Sequence, residues 1–167
     1  VISDWANIPP FGSIYWSAYA GKTFGTAPYM FLNLAPGNEI YYYNKYAFNL
    51  MNRYEYIMDR YAGMQIEHNI GNGIFRLIPF NRFLKFRQFW NMKMIWGDMT
   101  EANRALNIRS DFPFIDLRGR TYMEMGTGVD NILRFFRLDF VWRILPTSKP
   151  VERYRNFGIF GSFRLSF

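Results

Sequence analysis

The side chains with a capacity for chemistry in this sequence are charges set at alternate positions. Glu55, Asp59 and Glu67 share one parity; Lys85, Arg87 and Lys93 share one in a later stretch. Glu124 and Asp130 follow, then Arg137, Asp139 and Arg143. Side chains of a strand alternate between faces, so each set belongs to one face. Acidic and basic stretches fall next to one another, as cross-strand pairing favours. Such a wall has two readings: an interior wired together by ion pairs, or a charged path for an ion or a polypeptide.

Catalytic signatures are thin. The single histidine, His68, has no serine near it in sequence and shares the parity of the apolar side chains. It reads as an interfacial residue rather than a nucleophile's base. Glu55 with Asp59 would make only a weak metal pair, and solvation inside a charged interior explains the two better. There is no glycine-rich phosphate loop and no cysteine. No enzyme activity, catalytic residue, cofactor or metal is expected. The net charge of +7 is not gathered into blocks of like charge, so nucleic acid is not expected as a partner.

The elements that must position this wall are strands. Ile14, Trp16, Ala18 and Ala20 alternate with polar or small residues over 13–24. Over 53–69, Tyr54, Tyr56, Met58, Ala62, Met64 and Ile66 form an apolar set that Arg60 interrupts. Leu84, Phe86, Trp90, Met92, Met94 and Trp96 do the same over 83–97, where period two outscores a helical period. Stretches 121–130 and 136–145 follow, the latter with Phe136, Leu138, Phe140, Trp142 and Ile144 on one face. The last is 157–167, with Phe157, Ile159, Phe163, Leu165 and Phe167 on one face and Phe160 as an exception on the other. A chain ending on an apolar strand edge invites association unless that strand is paired, and a membrane barrel pairs it. Phe163, Leu165 and Phe167 are read as the closing-strand signal.

Aromatic residues make up 21% of the chain, a load that suits the interfacial girdles of a barrel. No apolar run approaches the roughly 18 residues a membrane helix needs. The expected fold is therefore all-β: about six antiparallel strands from the C-terminal part of a transmembrane outer-membrane β-barrel. Six strands do not close a barrel by themselves. Residues 1–167 begin without an initiator Met or a signal peptide, so N-terminal domains and the first strands are expected upstream of Val1. With Phe167 on the periplasmic side, the connections 25–52, 98–116 and 146–156 fall outside the cell, and 70–82 and 131–135 inside. Phe75, Ile78 and Phe80 are expected along the interface. A cation at Trp142 should cost roughly 2–4 kcal/mol on the lipid face, and Arg143→Trp should be milder.

The runs NLAPGNEIYYYNKYAFNLM (33–51), YEYIMDRYAGMQIEHN (54–69), IPFNRFLKFRQ (78–88) and YMEMGTGVDNILRFFRLDFVWRI (122–144) resemble a family of uncharacterised outer-membrane proteins of Bacteroidetes-type bacteria. Those proteins carry an N-terminal carboxypeptidase-regulatory-like domain and a C-terminal barrel. A more distant resemblance is to the BamA-like insertase superfamily, whose last six strands bracket a long loop that folds into the lumen; 25–52 would take that place. The Arg-Gly-aromatic triplet of that loop does not occur in 25–52, and Leu117-Arg118-Gly119 lies in another connection. The resemblances imply a protein of the bacterial outer membrane with a transport, assembly or scaffold role. Its expected partners are outer-membrane lipid, the barrel-assembly machinery during biogenesis, and other envelope proteins in a complex. The alternative is a passive channel or a structural barrel subunit.

Overall fold

A computed structural model describes residues 1–77, 85–108, 114–146 and 155–163. The chain is all-β. Seven strands form one antiparallel sheet: β1 (Ile2–Asn7), β2 (Ser13–Lys22), β5 (Arg60–Gly71), β6 (Arg87–Asp98), β7 (Thr121–Ile132), β8 (Phe136–Leu145) and β9 (Phe157–Phe163), in that spatial order. The remaining pair, β3 (Asn33–Leu34) and β4 (Ile57–Met58), forms a small second sheet. A short helix, α1 (Glu101–Asn107), follows β6, and 3-10 turns cover Tyr29–Phe31 and Gly73–Leu77. The large sheet is open: β1 and β9 are its two edges.

Register sets the two faces. One outward row runs Ile14, His68, Trp90, Thr127, Phe140, Ile159 across six strands. The next runs Trp16, Ile66, Met92, Met125, Trp142, Phe157. Two more, Ala18–Met64–Met94–Met123 and Ala20–Ala62–Trp96–Thr121, continue the band. It stops at the charged row Lys22–Arg60–Asp98, where Arg60 and Asp98 form an ion pair. Arg60, which interrupts the apolar set of its stretch, therefore marks the end of that band. The three central strands have 12 residues each, about 40 Å when extended.

Three boundaries differ from the sequence reading. β1 was not expected, because Ile2, Asp4 and Ala6 against Ser3, Trp5 and Asn7 give no clean apolar face. The strand expected over 53–69 starts only at Arg60. The chain bends at Asp59, between β4 and β5, so Tyr56 and Met58 enter the buried core instead of the outer band. The strand expected over 83–97 starts at Arg87. The connection 98–116 contains α1. Ile78, Phe80, Leu165 and Phe167 lie outside the described residues; Phe163 ends β9 and is exposed on the outer face.

The core lies on the other face. Segment 23–59, between β2 and β5, folds back across the sheet. Its Ala35, Phe48, Met51, Tyr56 and Met58 pack with Ile95, Leu117 and Tyr122. Its Tyr43 and Leu50 pack with Val141 and Phe160. Phe160, the exception to the alternation of its strand, is thus an inward side chain that meets the segment. Glycines on the inner face make room for rings: Tyr19 lies over Gly63 and Tyr61 over Gly21, cross-strand neighbours in both cases.

Candidate functional site

The charged inner face and the segment that covers it form the site. Glu124 on β7 is buried, and its carboxylate accepts the backbone N–H of Asn49 at 2.8 Å and of Leu50 at 2.7 Å. The Tyr122 hydroxyl donates to the same carboxylate at 2.6 Å. Lys93 on β6 donates to the carbonyls of Asn44 and Ala47, both at 2.7 Å. Arg143 on β8 donates to the Leu50 carbonyl and, at 3.3 Å, to Glu55. Arg155 donates to the Asn38 carbonyl at 2.7 Å. Lys93 and Glu124 are cross-strand neighbours, and both reach to the backbone of the segment. A buried backbone group without a partner is costly. Here the sheet's charges supply the partners that an irregular segment lacks.

The segment is preshaped to receive them. Asn49 accepts from the Asn38 side chain at 2.9 Å and from the Asn44 N–H at 2.8 Å, and returns a bond to the Asn44 carbonyl at 3.1 Å. Gly37 crosses so close to residue 52 that an added Cβ would sit 2.1 Å from the Asn52 carbonyl oxygen. Only glycine fits there. The Asn52 N–H is bonded to Glu55 at 2.8 Å, which places that carboxylate for Arg143.

A second cluster sits beside the first. The Arg137 guanidinium bonds Asp139 at 2.9–3.2 Å and Glu67 at 3.0 Å. It lies 3.6 Å from the centre of the Phe89 ring and 4.9 Å from that of Tyr43. Asn91 reaches Asp139 at 3.5 Å. Burial pushes the Tyr43 hydroxyl well above its ordinary range, and the Asp139 carboxylate adds to the shift.

Glu67, Lys93, Glu124, Arg137, Asp139 and Arg143 are therefore strand residues of one face, and Glu55 joins them from the segment. Asp130 is buried near the end of β7 and accepts the Asn131 N–H at 2.7 Å. Arg87 is the exposed first residue of β6. Lys85 lies outside the wall, exposed before β6 with φ of 53°, and its carbonyl accepts from Asn131. Asp59 is also outside it: its carboxylate accepts from the Thr100 N–H and hydroxyl, both at 2.7 Å, and from Asn103 at 2.9 Å, fastening α1. Burial pushes the Asp59 carboxyl up, but these bonds and the Arg60 charge outweigh it and hold the group below its ordinary 3.8. His68 faces outward, with Nε2 2.8 Å from the Phe11 carbonyl oxygen. Among the described residues, no three His, Asp or Glu side chains gather as a metal site.

Sequence reasoning missed Asn38, Asn44, Asn49 and Tyr43. The signal for them was faint: asparagines in a turn-rich stretch, and the apolar Phe160 on an otherwise polar face. The chemistry of the arrangement is non-covalent. It holds segment 23–59 against a charged wall. No family model, curated protein or solved structure matches this chain.

Proposed function

We propose that the chain is the C-terminal part of an integral β-barrel of the bacterial outer membrane, in the Bacteroidetes-type family it resembles and, more distantly, the insertase-like superfamily. Its role is transport, assembly or scaffolding in the envelope. One observation carries this reading: the sheet is inside out for a water-soluble protein. Trp90 is 46% exposed and Trp142 41%, within outward rows that carry no Asp, Glu, Lys or Arg, while Glu124, Asp139 and Arg143 are buried on the opposite face. An exposed apolar surface this continuous needs a cover, and a bilayer covers it without demanding shape complementarity. The two open edges fit a barrel completed by further strands. The segment lying over the charged face fits a lumen filled by the protein itself.

A passive channel is the second reading. A groove beside the segment, lined by Tyr42, Lys45, Glu67, Arg137 and Ser162, favours it. The test is expression of the full-length protein with a signal peptide. Recovery in the outer-membrane fraction, with a folded band whose mobility changes on boiling, is expected. Recovery in the soluble fraction without detergent would overturn the membrane reading. Conductance in planar bilayers then separates the two roles: a silent or flickering record supports the filled lumen, and a steady large current supports the channel.

A further inference from the structure

The free edge of β9 is not uniformly free. The Gly161 N–H donates to the Tyr41 carbonyl and the Gly161 carbonyl accepts from the Tyr43 N–H, both at 3.0 Å. Tyr42 thereby forms an isolated parallel bridge with Gly161. Backbone groups of alternate strand residues point to the same side, so Phe157 and Ile159 present theirs along this same edge. Their side chains continue the outward apolar face, being 46% and 47% exposed. No strand besides β8 pairs with them among the described residues.

Tyr43 holds the cap in place. It is 6% exposed, packed with Leu50, Val141 and Phe160, and its ring lies over the Lys93 ammonium at 4.6 Å. Lifting 41–43 would uncover Lys93 and Arg137 together. A strand arriving at this edge would gain two backbone bonds at Gly161 only by undoing that packing, an unfavourable exchange.

We infer that Tyr41–Tyr43 is a built-in stop on β9, so that a further barrel strand pairs with this edge only at the Phe157–Ile159 end and the seam stays unzipped beside Gly161. The incoming strand is amphipathic, with its apolar side chains outward in line with Phe157 and Ile159. That partner rests on the barrel reading above; the stop itself does not.

The test uses the full-length protein in its membrane. Residues 1–167 have no cysteine, so a peptide map assigns an introduced pair within them without ambiguity. An added Cβ at Gly161 meets nothing within 4 Å. Tyr42→Cys with Gly161→Cys should cross-link within the chain, on mild oxidation, in most molecules that keep the folded, heat-modifiable band. Tyr42→Cys with Ile159→Cys should cross-link several-fold less. Folded, membrane-embedded molecules that do not cross-link at 42 and 161 would overturn the stop. Should the double variant fail to fold, amide exchange answers the question. Gly161 exchanges slowly in the natural protein and several-fold faster in Tyr43→Ala if the cap protects it; slow exchange in both would mean that another strand pairs there, and the stop is wrong. A protein that cross-links but partitions into the soluble fraction keeps the stop and loses the membrane reading.

Discussion

The two ends of the inner face differ sharply. From Phe89 on β6 to Arg143 on β8 the inward residues are buried beneath segment 23–59, and the buried charges answer a backbone group or a counter-charge. At β1 the inner face is nearly bare: Trp5 is 54% exposed and packs against Tyr15 of β2 at 5.0 Å between ring centres. Lys45 reaches over from the segment, 3.7 Å from the Tyr15 ring centre and 5.2 Å from that of Trp5. Alternation assigns side chains to a face, but burial follows the segment. Beneath the segment the charges answer its irregular backbone or one another.

The largest test of that contrast is Arg143→Trp. Parity alone makes the substitution mild, since it exchanges one inward side chain for another. The structure makes it severe, because Glu55 would stay buried without its cation. Breaking a buried pair from one side costs about 3–5 kcal/mol. Urea titration of the folded band should show the loss, and limited trypsin digestion should open the segment at Lys45 or Arg53. A variant as stable as the natural protein would mean that the segment does not depend on this anchor.

Next comes Trp142→Arg, one residue away on the outer face. A cation near the membrane midplane costs about 2–4 kcal/mol. The yield of membrane-inserted protein should fall while the segment, once the protein is folded, resists trypsin as before. Normal insertion would remove lipid as the cover of that face.

Glu124→Gln sharpens the inner half. Its amide keeps one acceptor oxygen where the carboxylate has two, so the Asn49 and Leu50 N–H groups can no longer both be met. The expected cost is about 1–3 kcal/mol, read as faster amide exchange at residues 49 and 50 with the strands unchanged. Smallest is Lys45→Ala at the bare end. A partly exposed cation–aromatic contact is worth about 0.5–1 kcal/mol. The expected signature is a change in Trp5 fluorescence with almost no change in overall stability. A loss as large as that of Arg143→Trp would erase the difference between the two ends.

Much of the sheet was legible because alternation is local. Trp90, Met92, Met94 and Trp96 state their face within one strand, and Phe136 to Ile144 do so again. β1 was not legible, since Trp5 and Asn7 share a face and neither is decisive. Tyr56 and Met58 misled for a related reason. They keep the parity of Ala62 and Met64, but the bend at Asp59 divides them from that strand and leaves them in the core.

The sequence by itself determined that this chain is a sheet with an apolar face and a charged face, and roughly where each long strand runs. Periodicity needs only neighbours two residues apart, so it survives without any knowledge of the fold. Only the tertiary structure decided what the charges are for. The bond from Glu124 to Asn49 joins residues 75 apart, and that from Arg143 to Leu50 joins residues 93 apart. Contacts at such separations leave no period to read; they exist only once seven strands and the covering segment have been brought together.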